Sequence, residues 1–139
     1  MQKVLTIAGS DSTGGAGIQA DLKTILSLGG YGMSVVTAVT AQDTLGIKAV
    51  RAMDPEFVKL QLDCVLEDIG ADCVKTGMLV NAWIVRTVAS RLKNYRMERI
   101  VVDPLLNSKD GSTLLDEDGR RALVEDMFPL TYLLTPNIP

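Results

Sequence analysis

The chain has 139 residues, of which 47% are hydrophobic and 22% are charged, and these values predict one ordinary globular domain. The 14 Lys and Arg residues against 17 Asp and Glu residues give a net charge of −3, which argues against a nucleic-acid-binding surface or a polybasic membrane anchor. The chain contains no histidine, so Ser-His-Asp hydrolysis, Cys-His hydrolysis and histidine general bases are excluded within it. Two cysteines, Cys64 and Cys73, are too few for a disulfide framework, and we expect reduced thiols in a cytoplasmic protein.

Apolar patterns of strand type and helix type alternate along the chain. Apolar runs bounded by Gly, Pro or Asp predict strands at Val4–Ala8, Met33–Ala41, Ile47–Met53 (in a hairpin or flap), Cys73–Thr76, Ile100–Asp103 and Tyr132–Thr135. Apolar residues at spacings of three and four predict helices at Ile18–Gly29, Pro55–Ile69, Ala82–Lys93 and Asp116–Phe128. Asp54 is the predicted cap of the second helix. This alternation predicts an α/β fold, a mainly parallel sheet with helices on both faces.

The glycine-rich segment Gly9–Gly17 follows the first predicted strand, and its glycines suit a loop that lies against a ligand. It is not a P-loop, because Gly15 stands where that motif needs lysine. Gly15-x-Gly17-x-x-Ala20 formally matches a dinucleotide fingerprint, but it starts seven residues beyond Ala8 instead of at the strand end. A plain connecting loop without a ligand is the remaining alternative, although ordering several glycines costs chain entropy.

Polar residues lie near the expected carboxyl ends of the strands, where parallel sheets bind ligands. Gln42 directly follows the second strand, and its amide offers donors and an acceptor that suit a heteroaromatic ring. Met78 follows the fourth strand, Asp103 ends the fifth, and Asp21 lies in the first turns of a helix. Plainer explanations also exist. Met78 could be a core methionine, Asp103 could cap the following loop, and Asp21 could be a solvated carboxylate that the helix dipole stabilises.

These motifs also occur, in the same order, in one known family. Six segments together resemble the hydroxymethylpyrimidine and phosphomethylpyrimidine kinases of thiamine biosynthesis, and they are Leu5–Thr24, Tyr31–Ser34, Thr40–Gln42, Lys75–Leu79, Val102–Pro104 and Thr135–Asn137. The resemblance covers essentially the whole chain. It implies a ribokinase-like α/β fold and an enzyme that uses ATP and Mg²⁺ to phosphorylate the 5-hydroxymethyl group of an aminopyrimidine, and then its monophosphate.

The resemblance also assigns roles to residues. It implies that the glycine-rich segment binds the pyrimidine rather than the phosphates of ATP. Asp21 and Gln42 would hydrogen-bond the aminopyrimidine, Gly9 would approach it through its backbone, and Met78 would pack on the ring. Gln42 favours a pyrimidine substrate, because the related pyridoxal kinases tend to differ at this position.

Members of that family are longer than this chain. The resemblance therefore implies that residues 1–139 are the N-terminal, substrate-binding half of a single, C-terminally truncated ribokinase-like domain. Asp103 and Asn137 would be associated with phosphate and Mg²⁺ without ligating the metal directly, and Asn137 would open an N-x-x-E motif whose glutamate follows Pro139. The anion hole, the catalytic base and most of the ATP pocket are expected beyond Pro139, so the 139-residue chain alone is predicted to be inactive. The loop Leu105–Gly111 departs from the family pattern.

Three alternatives stay open at this point. They are a pyridoxal-type kinase of the same family, a non-catalytic pyrimidine-binding module, and a nicotinamide-dependent oxidoreductase built on the Gly15-x-Gly17 match. The expected partner is a small-molecule aminopyrimidine, with neither nucleic acid nor membrane, and a homodimer is left open.

Overall fold

A computed structural model describes residues 1–138, and a six-stranded sheet forms the centre of the molecule. The strands are Lys3–Ser10 (β1), Tyr31–Asp43 (β2), Gly46–Ala52 (β3), Cys73–Thr76 (β4), Ile100–Val102 (β5) and Leu133–Leu134 (β6). They lie side by side in the order β3-β2-β1-β4-β5-β6. In this described part of the chain, β3 runs antiparallel to β2 and the other neighbours are parallel, so the mainly parallel sheet and the hairpin are confirmed.

The α-helices are Gly17–Ser27 (α1), Pro55–Asp68 (α2), Ala82–Asn94 (α3) and Glu117–Ala122 (α4). Asp54 caps α2 as predicted, because its carboxylate accepts a hydrogen bond from the Glu56 amide at 2.8 Å. Within residues 1–138, no helix combines the length and the apolar character that crossing a membrane requires.

The predicted helix Asp116–Phe128 is not one regular helix. The α-helical part ends at Ala122, and a π-helical turn at Leu123–Met127 and a 3₁₀ turn at Phe128–Leu130 follow it. Pro129 has no amide hydrogen, so the chain cannot continue α-helical bonding through it and changes its pattern before that residue. The π-helical turn still buries its first and last side chains in the core.

Successive side chains of β1 point to opposite faces of the sheet. Leu5 and Ile7 are fully buried and belong, with Leu62 of α2 and several residues of α3, to the main hydrophobic core. Thr6 points the other way, and its hydroxyl donates to Asp21 of α1 at 2.6 Å. Helices therefore cover both faces, as predicted: α2 and α3 pack on one face and α1 on the other.

The carboxyl ends of β1, β2, β4 and β5 meet at one edge of the sheet because these strands are parallel. The pairing of β1 with β2 shifts between Ala8 and Gly9, where the partner changes from Val36 to Ala38. This bulge bends the end of β1 at the point where the glycine-rich loop begins. The loop, the start of α1, the β2–β3 turn and the segments after β4 and β5 are therefore gathered at one edge.

Candidate functional site

A cavity of about 690 Å³ opens at the carboxyl edge of the sheet. Its walls come from the glycine-rich loop, the start of α1, the β2–β3 turn and the segments that follow β4 and β5. All six residues that the sequence nominated line this cavity, namely Gly9, Asp21, Gln42, Met78, Asp103 and Asn137. Its volume falls in the range usual for small-molecule sites.

Asp11 organises the glycine-rich loop from inside. It is 3% exposed, and its carboxylate accepts hydrogen bonds from the amides of Thr13 (2.9 Å), Gly15 (3.0 Å) and Ala16 (2.8 Å). The Thr13 hydroxyl donates to the same carboxylate. Burial opposes ionisation of Asp11, but these hydrogen bonds together outweigh it and lower the pKa of the carboxyl below its ordinary value.

The amides that a phosphate would need in this loop are therefore already bound to a carboxylate of the protein. A phosphate placed there would find those donors already occupied, and the negative charge of Asp11 would repel it. This geometry disfavours phosphate binding by the loop and agrees with the expectation that it binds a neutral ring. Sequence reasoning missed Asp11, although an aspartate ahead of Gly14-Gly15 is the signal of an Asx turn.

Gly9 and Met78 form one wall of the cavity. An added Cβ at Gly9 would lie 2.5 Å from Met78 Cε, so the methionine methyl lies directly against the glycine backbone. Met78 is 7% exposed and packs with Ala38 and Leu114. Its carbonyl also accepts a hydrogen bond from the buried Thr37 hydroxyl at 2.6 Å. The position of this wall is therefore fixed by contacts on both the side chain and the backbone of Met78.

Asp21 reaches the cavity from α1 and is anchored to the sheet by one of its two oxygens. Its Oδ2 accepts hydrogen bonds from Thr6 Oγ1 at 2.6 Å and from Lys75 Nζ at 2.8 Å. The Asp21 and Lys75 side chains are 21% and 27% exposed. Asp103 lies near this pair: burial raises the pKa of its carboxyl, Lys75 lowers it, and Asp21 raises it again.

Gln42 connects the β2–β3 hairpin to the glycine-rich loop through its backbone. Its amide donates to Ser12 Oγ at 3.1 Å, and Ser12 Oγ donates to the Gln42 carbonyl at 2.9 Å. The side-chain Oε1 accepts weakly from the Thr40 hydroxyl at 3.3 Å. The side-chain NH₂ donates no hydrogen bond to residues 1–138, so both of its hydrogens remain for a ligand.

The loop after β5 forms an outer wall of the cavity beside the β2–β3 turn. Asn107, Ser108, Lys109 and Asp110 line the cavity there. The Ser108 hydroxyl and the Ser112 amide donate to Asp110, and hydrogen bonds from these two serines lower its pKa to about 2. An added Cβ at Gly46 would lie 2.7 Å from Asp110 Oδ2, so this carboxylate touches the β2–β3 turn. The loop that departs from the family pattern is therefore a wall of the cavity.

The charges of the lining residues are predominantly negative. Five aspartates and two lysines line the cavity, which gives it a formal charge of −3. The two lysines are Lys75, which is paired with Asp21, and the exposed Lys109. A neutral ligand with hydrogen-bonding edges suits this lining better than a polyphosphate does.

Residues 11–139 match the family model described as phosphomethylpyrimidine kinase. The chain belongs to that family. It is 54% identical over 136 residues to the thiamine biosynthesis bifunctional protein ThiED of Geobacter sulfurreducens, with 98% of this chain and 28% of that protein covered. It is also 49% identical over 137 residues to the hydroxymethylpyrimidine/phosphomethylpyrimidine kinase of Bacillus subtilis, covering 99% of this chain and 51% of that enzyme.

Among solved structures, a phosphomethylpyrimidine kinase from Clostridium difficile superposes with a TM-score of 0.94 at 47% identity, covering 100% of this chain and 60% of that one. The predicted family and the predicted fold class are thus confirmed. The chain spans about half or less of the length of the curated relatives described above. The roles of the six cavity residues stay predictions.

The described residues do not complete a metal site for a kinase of this family. Within residues 1–138, no three His, Cys, Asp or Glu side chains cluster in a way that would hold a metal ion. Asp103 and Asn137 line the cavity, but they supply one carboxylate and one amide. The cysteines play no part in the cavity: Cys64 and Cys73 are free thiols, and burial raises the pKa of Cys73.

Proposed function

We propose that residues 1–139 form the pyrimidine-binding half of an ATP-dependent hydroxymethylpyrimidine/phosphomethylpyrimidine kinase of thiamine biosynthesis. The observation that carries this proposal is the meeting of Gly9, Asp21, Gln42 and Met78 around one cavity. The Bacillus subtilis relative, which is 49% identical over 137 residues, is a hydroxymethylpyrimidine/phosphomethylpyrimidine kinase, and this similarity supports the same substrate.

The chemistry of the ring edge matches these residues. A 4-aminopyrimidine presents an amino donor beside a ring-nitrogen acceptor, and it therefore pairs with one acceptor and one donor. Asp21 is the acceptor, and the Gln42 amide is the donor for the ring nitrogen. Met78 and the backbone of Gly9 provide an apolar wall for the ring, with the methionine methyl lying against the glycine.

In the proposed reaction, groups outside this cavity would bind the phosphates of ATP. Phosphoryl transfer depends on positioning and on neutralising the charge of the phosphates. The cavity carries five aspartates against two lysines, so it does not neutralise a triphosphate by itself. Mg²⁺, when bound, would supply that neutralisation, and Asp103 and Asn137 are the cavity residues that would be associated with it and with the phosphates. The present residues would bind and orient the ring that carries the hydroxymethyl group.

Calorimetry on the 139-residue chain tests the proposal. We expect 4-amino-5-hydroxymethyl-2-methylpyrimidine to bind, pyridoxal to bind more weakly, and NAD not to bind. We also expect no ATP consumption when the pyrimidine, ATP and Mg²⁺ are all present. Tighter binding of pyridoxal would favour a pyridoxal-type kinase, and binding of NAD without the pyrimidine would revive the oxidoreductase alternative. Ordinary turnover by the pure 139-residue chain would contradict the assignment of residues 1–139 to a substrate-binding half.

A further inference from the structure

Lys75 lines the cavity, yet neither the sequence motifs nor the proposed function gives it a role. It lies on β4 opposite Thr6 of β1, on the sheet face that α1 covers. An added Cβ at Gly77 would lie 3.1 Å from Lys75 Nζ, so the ammonium reaches past the end of its strand and lies over the Gly77 backbone. Glycine at that position leaves the room that the ammonium occupies.

The contacts of Lys75 divide the Asp21 carboxylate into two unlike oxygens. Oδ2 accepts from both Lys75 Nζ and Thr6 Oγ1, at 2.8 and 2.6 Å. Oδ1 accepts no hydrogen bond from residues 1–138. A carboxylate held by two donors on one oxygen keeps a fixed orientation, and its second oxygen stays available as an acceptor.

The charge of Lys75 acts on a second carboxylate as well. Asp103 is close enough to Lys75 and Asp21 for both charges to act on it. With Lys75 present, these three groups carry one net negative charge. Without it, two carboxylates would face the same cavity, and the other lysine of the lining, Lys109, is exposed on the loop after β5.

We propose that Lys75 is the positioning residue of the ring-binding site. Its ammonium holds Asp21 through Oδ2 and thereby directs Oδ1 to the amino group of the pyrimidine. This inference rests on the proposed function, because it takes an aminopyrimidine as the ligand. In this proposal Lys75 acts through Asp21, without contacting the ring, and makes the site prefer rings that carry an amino group.

The test compares two ligands by calorimetry on the full 139-residue chain: 4-amino-5-hydroxymethyl-2-methylpyrimidine and the same ring without its 4-amino group. A hydrogen bond to a charged acceptor is worth about tenfold or more in affinity, so the unchanged chain should prefer the amino ligand by at least about tenfold. Lys75→Met should reduce that preference to within about threefold, and Lys75→Arg should restore it. Lys93→Met, which removes an exposed lysine of α3 outside the cavity, is the matched control and should leave the preference unchanged.

The outcomes separate this inference from the function on which it rests. If Lys75→Met keeps the preference for the amino ligand, or loses affinity for both ligands equally, the positioning role is overturned. Binding of the pyrimidine by the unchanged chain would still support the proposed function. If the unchanged chain binds neither ring, the proposed function fails and this inference fails with it. Circular dichroism checks the fold of each variant, and Lys75→Gln, which keeps a donor without the charge, takes the place of a methionine variant that does not fold.

Discussion

Replacing Asp11 gives the most direct test of how the glycine-rich loop is built. In Asp11→Ala, the amides of Thr13, Gly15 and Ala16 lose their acceptor together. Each hydrogen bond to a charged group is worth about 1.5–3 kcal/mol, but Gly15 and Ala16 are exposed, so their amides recover water. We therefore expect the free energy of unfolding to fall by about 2–3 kcal/mol, somewhat more than the loss of one helix cap. Asp11→Asn keeps one acceptor oxygen and should lose about half as much.

Urea unfolding followed by far-ultraviolet circular dichroism measures these changes. The single tryptophan, Trp83, is 70% exposed and would report poorly on unfolding by fluorescence. The contribution of Asp11 also has a defined pH dependence, because its pKa is lower in the folded state than its ordinary value of 3.8. That stability is present above pH 3.8 and is lost as the pH falls through the lowered pKa, and Asp11→Asn should lack this loss.

A gain of anion binding completes the test. Asp11→Ala leaves three loop amides without an anion, so millimolar inorganic phosphate should stabilise this variant and leave the unchanged chain unaffected. Equal unfolding free energies for Asp11→Ala and the unchanged chain would refute the conclusion that Asp11 organises the loop. Stabilisation of the unchanged chain by phosphate would refute the conclusion that its amides are already occupied.

Three further substitutions and one titration test separate features. Gln42→Ala should weaken pyrimidine binding about tenfold by calorimetry, whereas Gln2→Ala at an exposed glutamine should not. Gly9→Ala should displace the flexible methionine methyl beside it and so reduce pyrimidine binding, with a loss of stability below about 1 kcal/mol. Gly17→Ala should lower the free energy of unfolding by about 2 kcal/mol or more, because its φ is +59° and an added Cβ would collide with the carbonyl oxygen of Gly9. In an ultraviolet titration, Tyr95 should ionise at a pKa of about 12, because burial and hydrogen bonds to two carboxylates favour its neutral form. The stability that this hydrogen-bond network contributes is present below pH 10 and is lost as the pH rises through 12. Ionisation of Tyr95 near pH 10 would contradict the network.

Local signals made much of the fold predictable. Asp54-Pro55 set the start of α2 because the cap and the first-turn proline act on adjacent residues, and Cys73–Thr76 matches β4 residue for residue. The strand order was not predicted, since pairing depends on contacts between residues far apart in sequence. The strand predicted at Tyr132–Thr135 is observed as Leu133–Leu134, because β6 pairs through two residues with the three-residue β5.

The candidate site, like the fold, was predictable only in part from the sequence. Motifs nominated the residues that would touch a ligand, and the structure brings all of them to one cavity. Asp11 and Lys75 were given no role, because their importance depends on which atoms they meet in space: three amides for one, and a single oxygen of Asp21 for the other. A sequence motif records residue types, whereas these roles depend on hydrogen-bond partners.

Under the proposed function, Asp11 and Lys75 would explain how one cavity can hold a neutral ring close to the place where phosphate chemistry is expected. Asp11 fills the loop amides that would otherwise attract a phosphate. Lys75 compensates Asp21, so a carboxylate can face the ring without leaving a second uncompensated charge beside Asp103. The remaining charge of the lining is negative, and phosphates therefore need cations from elsewhere before they can approach. Under the proposed function, binding of the ring and binding of the phosphates would depend on different groups: substitutions at Lys75 should change ring binding, whereas Asp11→Ala should admit phosphate to the loop.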